Sequence, residues 1–155
     1  MKTEENRDLR MVIDKCVIRA FAIAASSCAY VPFARGRAIA ERLAASGHRV
    51  IVHCREQRAA ADEVCEAIAA QGGLAARVIQ FDIANRDACR DAITADIQAH
   101  GAYYGVVCNA GLTRDGAFPA LSGEEWDAVL RTNLDGFFNV LQPTIMPMVR
   151  RKAGG

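Results

Sequence analysis

The sequence predicts an α/β fold in which helices cover both faces of a parallel β-sheet. From residue 36 to residue 149, apolar segments of strand length alternate with segments of helical spacing. The segment Tyr103–Cys108 is almost wholly apolar and does not alternate, which is typical of a strand buried on both faces. Parallel strands joined by helices require right-handed crossovers, and these place helices on both sides. The predicted class is therefore α/β with a doubly wound parallel sheet.

The first elements are less regular than the later ones. A first strand is expected within Phe21–Cys28, although the alanine-rich composition also permits a helix there. An amphipathic helix follows over Arg37–Leu43 and is closed by Gly47, after which Arg49–Cys54 forms the second strand. These elements predict one strand–helix–strand unit.

The central elements repeat this pattern. A second helix is expected over residues 57–71 and ends at Gly72, and Ala76–Phe81 forms the third strand. Asn85 can cap a third helix, which Gly101 ends before the Tyr103 strand.

A long helix follows the fourth strand, which stops at a sharp turn at Gly111. Ser122 and Glu125 form a capping-box pattern just before Trp126, which predicts where the helix starts. Pro143 and Pro147 should kink or end it. Its apolar face is predicted to contain Trp126, Val129, Leu130, Asn133 and Phe137.

Asn133 is the most informative residue of this helix, because it is a polar amide in an apolar stripe. Burying an unpaired amide costs about 1–3 kcal/mol, so Asn133 needs partners. It is either an asparagine satisfied by a neighbouring carbonyl or a residue with a role in a site, and the pattern alone favours neither.

Composition narrows the function classes. The chain has 155 residues, 52% of them apolar, and 19 basic against 18 acidic residues give a formal charge of +1. This balance does not indicate binding to nucleic acid or to an anionic membrane.

The six cysteines form no C-x-x-C pair, so neither a disulfide framework nor a metal site is expected. The sequence is instead expected to be that of a cytoplasmic protein with reduced thiols. His48, His53 and His100 lie at element ends, where a histidine is usually a surface residue.

Several motifs together resemble the short-chain dehydrogenase/reductase family. They are Asn109-Ala110-Gly111, Trp126-Asp127 and the run from Thr132 to Phe137, and the run from His100 to Arg151 is similar to the 3-oxoacyl-[acyl-carrier-protein] reductase branch. The resemblance covers residues 36–155. It implies a Rossmann-like sheet of strand order 3-2-1-4, truncated after the fourth strand and the following helix, and a chain that is about the first half of such an enzyme.

The resemblance implies NADPH as cofactor. Arg55 follows the second strand, where an arginine accommodates a 2′-phosphate, although an ordinary solvated charge is an equally good interpretation of the residue alone. Asp82 is expected to contact the adenine end of the cofactor. The full set of expected cofactor-binding residues is Gly36, Arg55, Asp82, Ile83, Asn109, Ala110 and Gly111.

The phosphate loop of the family is broken in this sequence. Its first two glycines should occupy positions 30 and 34, but the sequence has Tyr30 and Ala34, with Pro32 and Phe33 between them. Such a loop must let the cofactor's pyrophosphate approach the backbone, which bulky residues hinder. Residues 1–35 are therefore interpreted as a segment that departs from the family pattern, and residues 36–155 as a partial dinucleotide-binding domain.

The catalytic residues are largely absent. The family uses a serine, a tyrosine and a lysine four residues after that tyrosine, together with an asparagine that completes a proton relay. Only the asparagine, Asn133, is present. Neither Tyr103 nor Tyr104 has a lysine four residues on, because the lysines are Lys2, Lys15 and Lys152.

Three hypotheses follow. The first is the cofactor-binding half of an NADPH-dependent reductase that acts on a small-molecule or carrier-bound acyl thioester in fatty acid synthesis, inactive by itself and homo-oligomeric in the full-length family. The second is a non-catalytic remnant or partner-binding module of the same fold. The third is an unrelated α/β nucleotide-binding module.

Overall fold

A computed structural model describes residues 19–23 and 31–151, in which strands and helices alternate. The strands are β1 (Arg19–Ile23), β2 (Arg49–Cys54), β3 (Arg77–Gln80) and β4 (Gly105–Cys108). The α-helices are α1 (Val31–Ala45), α2 (Arg58–Ala70), α3 (Arg86–His100), α4 (Gly123–Leu130) and α5 (Gly136–Arg150). A short 3₁₀ helix, Phe118–Ala120, precedes α4, and a π-helical turn, Arg131–Asp135, joins α4 to α5.

The four strands form one parallel sheet in the order β3-β2-β1-β4. In β1, Ile23 is paired with His53 of β2 and with Cys108 of β4, and His53 is in turn paired with Ile79 of β3. The carboxyl ends of all four strands therefore lie at one edge of the sheet. The α/β class and the strand order that the resemblance implied are both confirmed.

The strand β2 is central to two apolar cores. Val50, Val52 and Cys54 pack on one face with α1 and α2, while Ile51 packs on the opposite face with residues of α3 and α5. Every residue of β2 from Val50 to Cys54 is buried, because helices cover both faces. Helices on both faces of the sheet are what buries the apolar residues Val50, Ile51 and Val52 together with His53 and Cys54.

The first strand and helix differ from their predicted bounds. The strand expected within Phe21–Cys28 starts earlier, at Arg19, and residues 24–30 lie outside the described part of the chain. The helix expected from Arg37 starts at Val31, with Pro32 in its first turn. A proline is well tolerated there, because the first helical N–H groups have no partner within the helix.

The predicted long helix corresponds to α4, the π-helical turn and α5 taken together. Its start is confirmed, and its end lies further along the chain than expected. The Ser122 hydroxyl accepts from the N–H of Glu125 (3.1 Å), and the Glu125 carboxylate accepts from the N–H of Ser122 (3.0 Å). Of the two effects predicted for Pro143 and Pro147, a kink or an end of the helix, the second does not occur, since both prolines lie inside α5.

The π-helical turn explains why the predicted apolar face is not a buried stripe. Such a turn fits one extra residue into the helix, so the residues after it are rotated relative to α-helical spacing. Phe137, which follows the turn, is 54% exposed, and Asn133, within the turn, is exposed as well. Trp126 is also 49% exposed, but it precedes the turn, which therefore does not account for its exposure. The buried positions of α5 are instead Gly136, Asn139, Val140 and Thr144.

The strand β4 is only partly buried, contrary to the prediction. It is an edge strand of the described sheet, paired with β1 on one side, and its residues range from half-buried to exposed. Tyr103 and Tyr104 precede the strand rather than belong to it.

Candidate functional site

The residues expected to bind a cofactor, apart from Gly36, gather at the carboxyl ends of the strands. Arg55 directly follows β2, Asp82 follows β3 after one intervening residue, and Asn109 directly follows β4. In doubly wound sheets, ligands bind in the crevice outside this edge. Neighbouring strands are about 4.8 Å apart, so the edge from β3 to β4 extends roughly 14 Å.

A pocket of ≈ 80 Å³ lies where β4, the β3–α3 turn and the long helix meet. It brings together three residues that the sequence singled out, Ile83, Ala110 and Asn133. Its remaining walls are Cys108, Thr132, Gly136 and Phe137. The pocket is too small for a whole dinucleotide, since ligand sites usually measure about 300–1,000 Å³. It can hold only part of such a ligand.

Asn133 is bound to the loop after β4. Its Oδ1 accepts from the N–H of Leu112 (2.8 Å), and its Nδ2 donates to the carbonyl of Leu112 (2.9 Å). A Cβ atom added to Gly111 would lie 3.5 Å from Asn133 Oδ1, an ordinary contact. The expectation of a buried Asn133 is wrong, but the expected partners exist, because the N–H and the carbonyl of Leu112 satisfy both ends of the amide.

Asp82 and Ile83 form a tight turn between β3 and α3. The Asp82 carboxylate accepts from the N–H of Ala84 (2.9 Å), and the Asp82 carbonyl accepts from the N–H of Asn85 (3.0 Å). The Ile83 side chain is buried against Gly136, where an added Cβ would come within 2.9 Å of Ile83 Cδ1. A glycine at position 136 therefore lets the long helix lie directly on the turn.

Arg55 and Gly36 lie outside the pocket. The Arg55 side chain is 41% exposed and pairs with Glu56 at 2.8 Å. Gly36 is buried within α1, in the second turn after Val31, where an N–H is already bonded within the helix. Gly36 can make room near a ligand but does not offer its N–H to one.

His53 is the clearest error of the sequence analysis. It is fully buried in β2, and its Nε2 donates to the carbonyl of Phe81 at 2.8 Å. Burial lowers the pKa of the imidazole from 6.5 to about 4, more than the Phe81 bond and the nearby Asp82 raise it. The alternation in Arg49–Cys54 points His53 to the same face as Ile51, and that signal could have placed it inside.

The lowered pKa of His53 predicts a loss of stability in acid. The unfolded chain takes up a proton as the pH falls below 6.5, whereas the folded chain resists until about 4, so stability falls through this window. We expect a loss of about 2 kcal/mol between pH 7 and pH 4.5 from this residue. Urea unfolding at the two pH values, compared with His53→Gln, measures it. If the free energy of unfolding falls by the same amount in His53→Gln between the two pH values, other groups are responsible for the loss.

Tyr103 is held far from the pocket. Its hydroxyl donates to Asp96 Oδ2 (2.9 Å), and Arg77 forms a two-point ion pair with the same carboxylate (2.9 and 2.7 Å). Burial and the Asp96 charge raise the pKa of Tyr103 above its ordinary value. Tyr103 precedes β4, at the sheet edge opposite the pocket, so it serves the packing of α3.

The sequence analysis missed two residues near the Asp82–Ile83 turn, Asn139 and Arg86. Asn139 is 3% exposed and forms hydrogen bonds with Ile83 and with Arg86. The helical spacing of Gly136, Asn139 and Val140 is the signal that could have found it.

Other site types find no support among the described residues. Within residues 31–151, no three His, Cys, Asp or Glu side chains lie close enough together to hold a metal. No helix in that range has both the length and the apolar character needed to cross a membrane. Cys54, Cys65, Cys89 and Cys108 are free thiols.

The chain is similar to a family model and to several known proteins. The family model for short chain dehydrogenase matches residues 35–155. A 3-oxoacyl-[acyl-carrier-protein] reductase FabG from Aggregatibacter actinomycetemcomitans is 58% identical over 120 residues, 77% of this chain and 49% of the relative. A reductase of the same name from Staphylococcus aureus is 35% identical over 119 residues, 77% of this chain and 48% of the relative.

A solved structure shares the fold. The gluconate 5-dehydrogenase from Burkholderia cenocepacia, crystallised with NADP and tartrate, superposes with a TM-score of 0.72 at 29% identity, covering 86% of this chain and 49% of that one. The chain thus spans about half the length of the relatives it matches. With the family model matching residues 35–155, the chain belongs to the short-chain dehydrogenase/reductase family.

Proposed function

We propose that this chain is the cofactor-binding half of an NADPH-dependent 3-oxoacyl-[acyl-carrier-protein] reductase, with no activity of its own. The 58% identity to a reductase of that name supports the substrate class, an acyl thioester on a carrier protein. The NADP in the structural neighbour supports the cofactor class. The substrate-binding and catalytic steps would need residues beyond those this chain supplies.

One observation carries the proposal. The parallel β3-β2-β1-β4 sheet aligns Arg55, the Asp82–Ile83 turn and the Asn109–Gly111 segment along a single edge. A dinucleotide is long and needs contacts spread over several strand ends, which this edge provides. In this arrangement Arg55 would meet the 2′-phosphate, the turn would meet the adenine, and Ala110 and Gly111 would border the nicotinamide end.

Asn133 contributes to the site through the backbone of Leu112. The two hydrogen bonds fix the Asn109–Gly111 segment relative to the long helix. Because both ends of the amide are already bonded, its side chain would position the loop rather than exchange protons itself.

Arg55 offers a direct test of the proposed cofactor. We expect Arg55→Ser to weaken NADPH binding by about 5- to 30-fold and to leave NADH binding nearly unchanged, because only NADPH has the 2′-phosphate. The exposed Arg58, paired with Asp62 on α2, is a matched control, and Arg58→Ser should change neither. NMR titrations that follow the amides of Arg55, Asp82 and Gly111 measure both ligands. Equal losses for NADPH and NADH would reject the assignment of Arg55.

The free edge of β4 favours a second function, a partner-binding module. In the described sheet β4 has a neighbouring strand on one side only, so its other side is unpaired. The long helix also exposes large apolar side chains: Leu134 is 63% exposed, Phe137 54% and Phe138 52%. Unpaired strand edges and contiguous apolar patches are sites where other chains bind.

The same edge predicts self-association of the isolated chain. We expect dimers or larger aggregates, and we expect Gly105→Lys to reduce them, because a charge on an edge strand opposes pairing. Gly105 has open space around an added Cβ, and so does the loop residue Gly116, which makes Gly116→Lys a matched control. Size-exclusion chromatography with light scattering measures the mass. A monodisperse, cooperatively melting monomer would contradict the prediction.

A further inference from the structure

The turn between β3 and α3 is held to the long helix by a buried amide. Asn139 is 3% exposed, and its Nδ2 donates to the carbonyl of Ile83 at 2.9 Å. Its Oδ1 accepts from Nε of Arg86 at 3.0 Å. A buried amide with an unmet partner costs about 1–3 kcal/mol, and here both ends are satisfied. The amide thus joins α5 to the carbonyl of Ile83 and to the first residue of α3.

Arg86 closes this arrangement from the solvent side. Its guanidinium lies 5.3 Å from the centre of the Phe138 ring, within the range of a cation–π contact. One arginine therefore contacts two successive residues of α5, Phe138 and Asn139. This restricts how the start of α3 can move relative to the long helix.

Apolar packing adds to the same contact. The Ile83 side chain packs so closely on Gly136 that a Cβ at position 136 would have no room. In addition, Cys89 Sγ donates a weak hydrogen bond to the Ile83 carbonyl at 3.5 Å. Ile83 is thus held by its side chain and by its carbonyl. Its neighbour Asp82 keeps a carboxylate at the ligand edge of the sheet, bonded to the N–H of Ala84.

We propose that Asn139 and Arg86 are positioning residues that hold the Asp82–Ile83 turn in the geometry that receives the adenosine end of NADPH. The inference rests on the proposed function and adds two residues to it, Arg86 on α3 and Asn139 on α5. Neither residue touches the cofactor. They act through the Ile83 carbonyl, so that the turn is already ordered when the ligand arrives and binding loses less conformational entropy.

Different variants remove the hydrogen bond from Asn139 to the Ile83 carbonyl and the hydrogen bond from Arg86 to Asn139. Asn139→Asp is nearly isosteric and keeps an acceptor for Arg86 but loses the donor to Ile83. Arg86→Met removes the bond to Asn139 Oδ1, whereas Arg86→Gln retains an N–H donor for it. We expect Asn139→Asp and Arg86→Met to weaken NADPH binding about 3- to 10-fold and Arg86→Gln to stay within about 2-fold.

A destabilised control distinguishes positioning from general loss of structure. In Gly73→Ala the new Cβ would lie 2.9 Å from the Ile68 carbonyl, which strains the end of α2 on the opposite face of the sheet. We expect this variant to unfold at lower urea concentration with its NADPH affinity unchanged.

NMR titration of the 155-residue chain with NADPH, together with urea unfolding of each variant, provides the readout. Equal affinity in the parent chain, Asn139→Asp and Arg86→Met would overturn the positioning roles and leave the proposed function intact. A loss in Gly73→Ala as large as theirs would overturn them too. If NADPH shifts no amide of residues 82–85 in the parent chain, the proposed cofactor site itself is wrong.

Discussion

The polypeptide of residues 1–155 is expected to oxidise no NADPH above background when given 3-oxoacyl thioesters. Reduction of a carbonyl needs an acid to protonate the developing alkoxide, and such an acid typically contributes 10²–10⁴-fold. Asn133 cannot act as that acid, because an amide has no acidic proton at neutral pH. Tyr103 bonds to Asp96 with a raised pKa, at the sheet edge opposite the pocket.

Tyr104 is no better placed. It is 57% exposed, stacks near His48 and lies under the Arg151 guanidinium at 5.1 Å. Like Tyr103 it precedes β4, so about 10 Å of strand separates it from the pocket. Neither tyrosine can reach a carbonyl bound beside Asn133.

An absorbance assay on the purified chain measures the activity. Its positive control is a fusion that adds the second half of a related reductase and a restored glycine loop, which should recover turnover. In that fusion Asn133→Ala should lower the rate, because the Leu112 loop loses both of its side-chain bonds. Activity in the short chain that survives purification and disappears with Asn133→Ala would reveal a catalytic acid not identified above.

The sequence predicted most of the framework because local patterns decide it. The strand Arg49–Cys54, the Asn85 cap and the Ser122–Glu125 capping box all depend on residues close together in the chain, and the structure contains all three. Asn85 Oδ1 accepts from the N–H of Ala88 at 3.0 Å, as a cap should. Boundaries differed mainly where an element lacks such a cap.

The errors share one physical cause, which is that burial depends on what packs around a segment. His53 is the last residue but one of β2, and Phe81 covers it from the side, with ring centres 4.3 Å apart. The face of the long helix was predicted with uniform α-helical spacing, and the π-helical turn at residues 131–135 breaks it. Asn139 is meaningful only because Ile83, 56 positions earlier in the sequence, places its carbonyl beside it. No local pattern contains that information.

The geometry of α1 leads to the second large effect, weak binding of NADPH. In dinucleotide folds a glycine loop after the first strand lets the pyrophosphate reach the N–H groups at a helix start. Here α1 begins at Val31, Pro32 supplies no N–H, and Gly36 lies a full turn inside the helix. Among the residues that the structure describes, the proposed cofactor contacts are then those of Arg55, the Asp82–Ile83 turn and the loop after β4.

We therefore expect a dissociation constant of ~1 mM or weaker, equivalent to about 4 kcal/mol, measured by calorimetry with NADPH. A variant that restores glycines at positions 30 and 34 and replaces Pro32 and Phe33 with small polar residues should bind at least about 10-fold more tightly. The same loop replacement, made in a chain that also carries Arg55→Ser, should increase NADPH affinity by a similar factor. The reason is that, in the proposed site, the pyrophosphate and the 2′-phosphate would lie at separate strand ends, so the two changes should act independently. Micromolar affinity in the unaltered chain would mean that backbone donors other than those of a glycine loop bind the pyrophosphate.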